Sequence, residues 1–358
     1  MNKEHLKKVH TGINSSSPVL DRYARPLQDL RVSVTDRCNF RCGYCMPKNI
    51  FGKGYKFLAK DELLSYDEIT RLVAIFATIG VEKIRLTGGE PLLRKDLETL
   101  VEKIRDTPAI KDIAMTTNAS LLSRKRSASL KAAGVNRLNI SLDALNPLIY
   151  RRINQIPTPL NDVLDGIGHA VEEGFSAVKV NMVVQKGIND SDILPMVEYF
   201  RHSGVVLRFI EFMDVGNHNQ WTLNKVFTSR EIIRTINSVY PLRPSDPNYT
   251  GEVAKRWFFE DGSGEIGVIS SISQPFCGDC SRARLSAIGE LYTCLFASQG
   301  YDLRHMLRSG CCDEELIRNV EALWMARSDR YSMERSRTGK SDQIRRTSQR
   351  VEMSYIGG

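Results

Sequence analysis

Short apolar runs alternate with amphipathic segments along the first two thirds of the chain. The runs at 30–34, 83–87, 112–116, 137–141, 177–184 and 206–211 have the length and composition typical of strands. Between them, apolar residues recur every three or four positions, which predicts helices over 65–79, 96–106, 123–133, 160–173 and 193–202. The first of these helices begins with a capping box from Ser65 to Glu68, and glycines follow the ends of several others.

The repeated strand-then-helix order predicts an α/β fold with a parallel sheet. Six such units predict a partial (βα)6 TIM-like open barrel over 25–240, because eight units are needed to close a barrel. A proline-rich segment at 237–251 is predicted to be a linker. After it, strands at 256–259 and 265–271 and a helix at 313–327 predict a smaller C-terminal domain over 241–327. We expect a mobile N-terminal arm at 1–24 and a basic tail at 328–358.

Composition narrows the class of protein. The chain has 358 residues, with 50 Lys+Arg, 42 Asp+Glu, a net charge of +8 and 42% hydrophobic residues. These values are typical of a soluble globular protein and exclude collagen and disordered proteins. No apolar run in the sequence approaches the roughly 20 residues that a membrane span needs. No apolar run follows the lysines near the N-terminus, so we expect a cytoplasmic protein whose eight cysteines are reduced. In that compartment, cysteines indicate metal binding or catalysis.

The first candidate site is Cys38-x3-Cys42-x2-Cys45, directly after the first predicted strand. Three thiolates within eight residues can surround one soft metal centre. A structural zinc ion or a fully ligated [4Fe–4S] cluster needs four protein ligands, so three leave a position open for a small molecule. A zinc knuckle completed by a distant residue is the alternative that spacing alone leaves open.

The residues around these cysteines make the interpretation more specific. The sequence CNFRCGYC at 38–45 resembles the signature of radical S-adenosylmethionine (SAM) enzymes, and KIRLTGGEP at 83–91 resembles their glycine-glycine-glutamate-proline turn. Both would lie at the carboxyl edge of the sheet, where βα loops form active sites. The resemblance implies that the three cysteines hold a [4Fe–4S] cluster, that SAM binds its open iron, and that Tyr44 and Gly89 contact SAM. It also implies reductive cleavage of SAM to a 5′-deoxyadenosyl radical.

A second set, Cys277-x2-Cys280-x13-Cys294, lies in the C-terminal region. On spacing alone it also fits half of a zinc ribbon completed by Cys311 or Cys312, although an adjacent pair does not form a ribbon's second knuckle. Two arginines follow Cys280 at alternate positions. On an extended segment they point to the same face, where their guanidinium groups can bind phosphate oxygens bidentately.

Together these features resemble the molybdenum cofactor biosynthesis protein A family of GTP 3′,8-cyclases, and the likeness extends over 22–358. The resemblance implies that the second cysteine set holds another [4Fe–4S] cluster, whose open iron meets the guanine of GTP. It implies conversion of GTP to (8S)-3′,8-cyclo-7,8-dihydroguanosine 5′-triphosphate, the first step of molybdenum cofactor biosynthesis. The resemblance further implies that hydrogen is abstracted from ribose C3′, that the carbon radical attacks guanine C8, and that the resulting aminyl radical is reduced.

The same resemblance assigns roles to individual residues, most of them on or near the ends of separate predicted strands. The residues implied for SAM are Tyr44, Gly89, Ser141 and Met213. The residues implied for GTP are Arg31, Arg85, Thr116, Lys179, Arg282 and Arg284. The catalytic residues implied are Arg282, Arg284, Gly357 and Gly358. The two terminal glycines are included because the tail of this family threads into the barrel.

Two segments depart from the family pattern. The segment 281–284 reads Ser-Arg-Ala-Arg where the family has Asn-Arg-Leu-Arg, and Ala119 occupies a turn position where the family has glycine. Alanine resists a positive φ, so we expect a slightly rearranged turn there. Both departures concern the affinity for GTP more than the type of reaction.

Two alternatives to the cyclase remain at this stage. One is a peptide-modifying radical SAM enzyme with an auxiliary cluster. The other is a zinc protein that binds RNA through 324–350, which contains eight Lys/Arg and three Asp/Glu (8 − 3 = +5) but lacks the regularly interleaved aromatics of a stacking platform. We expect GTP as the substrate, no nucleic-acid or membrane partner, and delivery of the product to cyclic pyranopterin monophosphate synthase. A homodimer is a further expectation, and the sequence does not indicate the electron donor.

Overall fold

The structure is a computed structural model that describes residues 18–249, 251–338 and 350–357. Its strands are β1 (Asp29–Ser33), β2 (Lys83–Thr87), β3 (Asp112–Thr117), β4 (Arg137–Ser141), β5 (Ala177–Val184), β6 (Val206–Glu211), β7 (Leu242–Ser245), β8 (Lys255–Phe259), β9 (Glu265–Ile269), β10 (Arg282–Leu285), β11 (Glu290–Tyr292) and β12 (Tyr301–Asp302). Its helices are α1 (Tyr66–Thr78), α2 (Leu97–Arg105), α3 (Arg124–Ala133), α4 (Pro147–Asn154), α5 (Leu160–Glu172), α6 (Ile193–Phe200), α7 (Ser229–Asn237), α8 (Leu303–Arg308), α9 (Asp313–Ala326), α10 (Tyr331–Thr338) and α11 (Met353–Ile356). None of the described helices combines the length and the apolar character of a membrane span.

The described strands form one sheet in the order β12-β11-β10-β1-β2-β3-β4-β5-β6-β9-β8-β7. The eight strands from β10 through β1–β6 to β9 pair in parallel. The outer strands at both ends pair antiparallel, as predicted for β8 and β9. The α/β fold with a TIM-like partial barrel is confirmed, and strands of the C-terminal region extend the same sheet at both ends.

Along the parallel strands, apolar side chains that pack in the core alternate with side chains that face the inside of the barrel. On β5, the side chains of Val178, Val180, Met182 and Val184 are buried in the hydrophobic core. Because successive residues of a strand point to opposite faces, the residues between them face the inside of the barrel. Polar residues at those positions, such as Asn181, are therefore available to a ligand.

Helix α1 begins where the capping box predicts. The Ser65 hydroxyl accepts a hydrogen bond from the Glu68 backbone N–H at 3.1 Å, and the Glu68 carboxylate accepts one from the Ser65 backbone N–H at 2.7 Å. Burial of each large apolar side chain on this helix contributes about 1.5–3 kcal/mol to folding. The buried stripe consists of Ile69, Leu72, Val73, Ile75 and Phe76.

Several elements differ from the predictions. The predicted linker at 237–251 contains strand β7, and Pro244 is tolerated there because β7 is an edge strand that needs no N–H donor on its outer side. Helices α4, α7, α8, α10 and α11 and strands β10–β12 are also not predicted. β11 and β12 contain only three and two residues, too few for a periodic pattern.

The N-terminal segment packs against the C-terminal region from Asp21 onward. Of the arm expected at 1–24, residues 1–17 lie outside the described residues. The buried carboxylate of Asp21 pairs with Arg25 at 2.6 Å and with Arg327 at 3.2 Å. The last residues of the expected arm are therefore held by buried ion pairs, and mobility there is not supported.

The described parts of the basic tail also contact the core. The guanidinium groups of Arg335 and Arg350 are buried beside Asp214. The terminal residue, Gly358, lies outside the described residues.

Candidate active site

One cavity of about 340 Å³ brings together most of the predicted site residues. It is lined by side chains from the carboxyl side of the parallel strands and from both cysteine sets, as expected for a barrel site. The predicted residues that line it are Arg31, Cys38, Cys42, Tyr44, Cys45, Arg85, Gly89, Thr116, Ser141, Met213, Cys277, Cys280, Arg282, Arg284 and Cys294. Lys179 and Gly357 lie beyond its lining.

The turn after β2 packs directly on the loop that carries the first cysteines. A Cβ at Gly88 would lie 2.4 Å from the Thr35 carbonyl oxygen, and one at Gly89 would lie 2.2 Å from the Arg37 carbonyl oxygen. The Gly89 N–H donates to the Thr35 carbonyl oxygen at 2.8 Å. The two glycines are therefore required for close approach of two backbones, in addition to any contact of Gly89 with a ligand.

Glu90 fixes the other side of this turn. Its buried carboxylate accepts hydrogen bonds from the Leu92 N–H at 3.1 Å, the Thr117 hydroxyl at 2.7 Å and the Asn118 N–H at 2.7 Å. Burial raises the pKa of Glu90 to about 7, although these three donors oppose the shift. The turn after β2 is thus tied to the end of β3.

The three thiols of the first set lie on one loop around the cavity wall. The Cys38 sulfur accepts a hydrogen bond from the Phe40 N–H at 3.3 Å, and the Cys42 thiol donates to Asn154 Oδ1 at 3.3 Å. Burial raises the pKa of all three thiols, to about 12 for Cys38. Within the described residues, no three Cys, His, Asp or Glu side chains are arranged around a single-ion site. Three thiols on one loop, facing a shared cavity, fit a cluster that offers an iron to a ligand.

Tyr44 lies between two of these cysteines and is held in place by a carboxylate. Its hydroxyl donates to Asp143 Oδ2 at 2.8 Å, and Asp143 Oδ1 accepts the Val183 N–H at 2.8 Å. Burial raises the pKa of Asp143 to about 6, although both hydrogen bonds oppose the shift. Ser141, at the end of β4, and Met213, just after β6, line the same cavity.

Three arginines form a row across adjacent strands. Arg31 of β1 is in register with Arg284 of β10 on one side and with Arg85 of β2 on the other. Neighbouring strands are about 4.8 Å apart, so like charges in register repel each other. Burial, and then Arg284, Arg85 and Arg282, lower the pKa of Arg31 well below its usual value. A polyanion in the cavity would relieve this repulsion.

Several buried polar atoms of the cavity wall have no hydrogen-bond partner among the described residues. Each is a nitrogen or oxygen that is costly to bury unpaired. They lie on separate strands around the barrel, so a ligand that satisfies them must be polar along most of its length. These atoms are the Nε atoms of Arg31, Arg85, Arg208 and Arg284, Thr116 Oγ1 and Asn181 Oδ1.

Arg208 is a cavity residue that the sequence analysis missed. It lies on β6 in register with Asn181 of β5 and with Gly267 of β9. A Cβ at Gly267 would lie 3.2 Å from Arg208 Cγ, so the glycine makes room for this side chain. A single arginine in an alternating strand has no distinctive sequence signal, whereas the glycine opposite it does.

Lys179 lies beside this arginine and behind the cavity lining. It is two residues before Asn181 on the inward face of β5, and Asn181 lines the cavity. Burial, followed by repulsion from Arg208 and Arg137, lowers the pKa of Lys179 to about 7. The lysine therefore changes charge near neutral pH.

The second cysteine set is surrounded by arginines. The Arg327 Nη2 donates to the Cys280 sulfur at 3.3 Å and its Nη1 to the Cys280 carbonyl oxygen at 2.7 Å. The Arg282 Nη2 also approaches the Cys280 sulfur at 3.4 Å, and the Arg25 Nη1 donates to the Cys277 carbonyl oxygen at 2.7 Å. Burial opposes ionisation of Cys280, but the two guanidinium groups outweigh it and lower its pKa to about 6.

Cys311 and Cys312 lie away from this set. Neither lines the cavity, and the Cys311 carbonyl oxygen accepts a hydrogen bond from the Arg71 guanidinium group on α1 at 2.5 Å. Cys312 is exposed immediately before α9. The zinc-ribbon alternative, which uses one of them as a fourth ligand, has no support from this placement.

The C-terminal segment is anchored beside β6 and enters the barrel. The buried Asp214 carboxylate accepts from the Tyr331 hydroxyl at 2.6 Å and pairs with Arg335 and Arg350. Beyond this anchor, Gly357 has φ = +70°, and a Cβ there would lie 2.2 Å from Thr87 Cγ2. Because Thr87 lines the cavity, the end of the described tail reaches the cavity wall.

The two departures from the family pattern leave the site intact. Ala119 adopts φ = +60°, so the turn has the left-handed conformation despite its side chain, and the expected rearrangement does not occur. Ala283 is fully buried on β10, while Arg282 and Arg284 on either side of it line the cavity. The Ser281 carbonyl oxygen accepts the Asp29 N–H at 3.1 Å, which joins β10 to β1.

Two family models match the chain. The Radical SAM superfamily model matches residues 32–200, and the Molybdenum Cofactor Synthesis C model matches 205–333. A GTP 3′,8-cyclase of Acidothermus cellulolyticus is 48% identical, over 96% of this chain and 100% of its own length. GTP 3′,8-cyclases of Xanthomonas axonopodis pv. citri and Staphylococcus aureus (strain Newman) are 48% and 47% identical, over 96% and 95% of this chain and 100% and 99% of their own lengths. The chain belongs to the GTP 3′,8-cyclase family of radical SAM enzymes.

Membership of the GTP 3′,8-cyclase family confirms the resemblance inferred from the two cysteine motifs. A solved structure of SuiB from Streptococcus suis has a TM-score of 0.58 and 12% identity, over 85% of this chain and 67% of SuiB. At this identity the likeness concerns the fold alone. It supports the TIM-like partial barrel described for this chain.

Proposed function

We infer that this protein is a GTP 3′,8-cyclase that forms (8S)-3′,8-cyclo-7,8-dihydroguanosine 5′-triphosphate, the first step of molybdenum cofactor biosynthesis. Family membership supports the reaction. The observation that most directly supports GTP as the substrate is the row formed by Arg31, Arg85 and Arg284. This row lies in a cavity that both three-cysteine loops line. A triphosphate offers the charge and the acceptor oxygens that this row lacks.

We assign SAM to the side of the cavity that the first cysteine loop forms. Cys38, Cys42 and Cys45 are the residues that would hold a [4Fe–4S] cluster, which would supply the electron for reductive cleavage of SAM. Tyr44, Gly89, Ser141 and Met213 are the residues proposed to contact SAM. The role of the chain is to orient SAM: Asp143 fixes the ring of Tyr44, and Glu90 holds the turn that includes Gly89.

We assign GTP to the opposite side. Arg31, Arg85, Thr116, Lys179, Arg282 and Arg284 are proposed to bind the nucleotide. Cys277, Cys280 and Cys294 are proposed to hold a second [4Fe–4S] cluster, whose open iron binds the guanine base. We propose that the ribose then lies between the two sides, with its C3′ hydrogen accessible to the adenosyl group of SAM. Arg282 and Arg284, next to the second set, are the proposed catalytic arginines.

The C-terminal glycines are proposed to complete the site. Gly357 lies against Thr87 on the cavity wall. Because it has no side chain, Gly357 fits a position where a Cβ would lie 2.2 Å from Thr87 Cγ2. The proposed role of both glycines is to limit water access and to position SAM.

The remaining proposals concern the cellular location, the enzyme that receives the product and the oligomeric state. We propose that the protein acts in the cytoplasm and delivers its product to cyclic pyranopterin monophosphate synthase, and that a homodimer is the oligomeric state to test. The alternative, a peptide-modifying radical SAM enzyme, has support only from the fold that SuiB shares.

Anaerobic incubation of the reconstituted protein with dithionite, SAM and GTP tests the proposal. We expect the protein to contain iron and sulfide in the amounts of two [4Fe–4S] clusters per chain. It should form 5′-deoxyadenosine and the cyclised nucleotide, both only when GTP is present. Protein with Cys280→Ala should lose half of the iron and all of the cyclised product. Zinc without sulfide, or 5′-deoxyadenosine formed equally without GTP, would refute the assignment.

A further inference from the structure

Asp329 lies in the connection between α9 and α10 and lines the cavity beside the second cysteine set. Its Oδ2 accepts a hydrogen bond from the Thr293 hydroxyl at 2.6 Å and pairs with Arg327 Nε at 3.4 Å. Both contacts use Oδ2, so Oδ1 is available to a ligand in the cavity. Burial, and then the charge of Asp329, raise the pKa of Cys294 to about 12, which shows how near the carboxylate is to this thiol.

Two arginines join Asp329 to the other two cysteines of the set. Arg25 Nη1 donates to the Cys277 carbonyl oxygen at 2.7 Å and to the Asp329 carbonyl oxygen at 3.0 Å. Arg327, which pairs with the Asp329 carboxylate, donates from Nη2 to the Cys280 sulfur at 3.3 Å. Both the backbone and the side chain of Asp329 are therefore fixed relative to the second cysteine set.

Arg25 also leaves a buried donor without a partner in this wall. The residue is 2% exposed and lines the cavity, and its Nη2 has no hydrogen-bond partner among the described residues. A buried guanidinium nitrogen without an acceptor is costly, so this position favours a ligand that brings an acceptor oxygen. The wall beside the second cysteine set thus offers a ligand one charged acceptor, on Asp329, and one donor, on Arg25.

The guanine base has the complementary groups. It carries an acceptor, O6, and a donor, the 2-amino group, whereas adenine has a 6-amino donor and no polar group at C2. Hypoxanthine, the base of inosine 5′-triphosphate (ITP), keeps O6 but lacks the 2-amino group. A carboxylate that accepts a hydrogen bond from the 2-amino group is left unpaired by either of the other two bases, and a binding site rejects such analogues strongly.

We propose that Asp329 determines the specificity for guanine, because its carboxylate accepts a hydrogen bond from the 2-amino group of the base. The inference rests on the proposed function, since that function places the guanine at the second cysteine set. Arg25, on the same part of the wall, supplies a donor for O6. A hydrogen bond to a charged acceptor favours the nucleotide that makes it by about 10- to 100-fold in affinity.

The other carboxylates among the described residues of the cavity wall are placed differently. Glu90 holds the turn after β2, and Asp143 holds the ring between two cysteines of the first set. Glu252 lies toward Arg208 of β6, at 3.8 Å. Asp29, on β1 next to β10, has a buried Oδ1 without a partner among the described residues, so it is the carboxylate that best serves as a control.

The ratio of the dissociation constants for ITP and GTP tests the inference, since the two nucleotides differ only in the 2-amino group. The ratio is measured by anaerobic titration calorimetry on the reconstituted protein without a reductant, so that no nucleotide is converted. The variant is Asp329→Ala. The matched control is Asp29→Ala, which removes another carboxylate of the cavity wall. Iron and sulfide are measured in each protein.

We expect the wild-type protein to bind GTP about 10- to 100-fold more tightly than ITP, and Asp329→Ala to lower this ratio below about threefold. Asp29→Ala should keep the wild-type ratio. Damage to the triphosphate site would weaken both nucleotides equally and leave the ratio unchanged. A wild-type ratio in Asp329→Ala, or its loss in Asp29→Ala instead, would overturn the inference, as would equal binding of the two nucleotides by the wild-type protein.

A second variant covers the case in which Asp329→Ala loses iron. In Asp329→Asn the amide oxygen can keep the contacts with the Thr293 hydroxyl and Arg327, so the NH2 group faces the base. A donor opposite the 2-amino group should also lower the ratio severalfold, and an unchanged ratio would overturn the inference.

Turnover with dithionite, SAM and GTP tests the proposed function separately. Absence of the cyclised nucleotide from every protein would contradict the cyclase, whereas the ratio would still decide the role of Asp329. Cyclised nucleotide from the wild-type protein, together with a wild-type ratio in both Asp329 variants, would contradict the role of Asp329 alone.

Discussion

Replacement of Gly357 by alanine tests whether the tail completes the active site. Gly357 has φ = +70°, and a Cβ there would lie 2.2 Å from Thr87 Cγ2 and 3.1 Å from Ser33 Oγ. A positive φ costs an alanine about 1–2 kcal/mol, which alone reduces the docked fraction of the tail roughly 5- to 30-fold. The contact with Thr87 adds to this, because it is far shorter than any normal carbon–carbon contact. We therefore expect Gly357→Ala to lower turnover at least about tenfold.

Two control variants separate the effect of the positive φ from the effect of the contact with Thr87. Gly204 has φ = +77°, and a Cβ there would meet no atom of the described residues within 4 Å. Gly204→Ala therefore imposes the backbone strain alone and should leave turnover unchanged. Thr87→Ser removes the Cγ2 methyl group and keeps the hydroxyl, so it should restore part of the activity of Gly357→Ala. The assay is quantification of the cyclised nucleotide and 5′-deoxyadenosine by mass spectrometry, with iron and sulfide measured in each variant. Wild-type turnover in Gly357→Ala would refute the reasoning.

The cations of the cavity and the second cysteine loop give three more tests. Arg31→Met should weaken GTP binding by about 10- to 100-fold, measured by calorimetry, with SAM binding unchanged, because the middle of the arginine row is lost. Burial and then Arg208 lower the pKa of Lys179 to about 7, so its ammonium loses a proton above pH 7 unless a triphosphate holds it. GTP affinity should therefore fall as the pH rises from 7 to 9, by at most about tenfold per unit, and Lys179→Arg should flatten this profile. Arg327→Met should lower the midpoint potential of the second cluster, because the N–H···S hydrogen bond from Arg327 to Cys280 favours the reduced cluster. The potential is measured by a redox titration followed by electron paramagnetic resonance. Arg327→Lys should show a smaller decrease, and an unchanged potential in Arg327→Met would contradict this role of Arg327.

The sequence predicted the local elements of the barrel better than their assembly. The capping box at Ser65, the six barrel strands and the five helices predicted between them are confirmed because their signals lie within a few residues. The parallel pairing of β10 with β1, and of β9 with β6, was not predicted. It joins segments that are far apart in the chain, and no short-range pattern specifies which strand covers an open sheet edge.

In the candidate site too, features with a local sequence pattern were predicted, whereas contacts between distant segments were missed. The cysteine motifs identify the loops because their spacing is distinctive, and Arg282 and Arg284 face the cavity as their alternation predicts. Arg208 and the Asp21–Arg327 pair were missed, since each is a single charged residue whose partners come from distant segments. The resemblance implies that Gly89 contacts SAM. The structure adds a second constraint on Gly88 and Gly89, the close approach of the backbone of Thr35 and Arg37.

The most direct test of the central claim follows the hydrogen that leaves the substrate. The protein is reconstituted anaerobically, reduced with dithionite and given SAM with GTP that carries deuterium at ribose C3′. If this protein is a GTP 3′,8-cyclase, the 5′-deoxyadenosine formed gains one deuterium and the cyclised nucleotide has lost it. Unlabelled 5′-deoxyadenosine, formed at the same rate with or without GTP, would contradict the account.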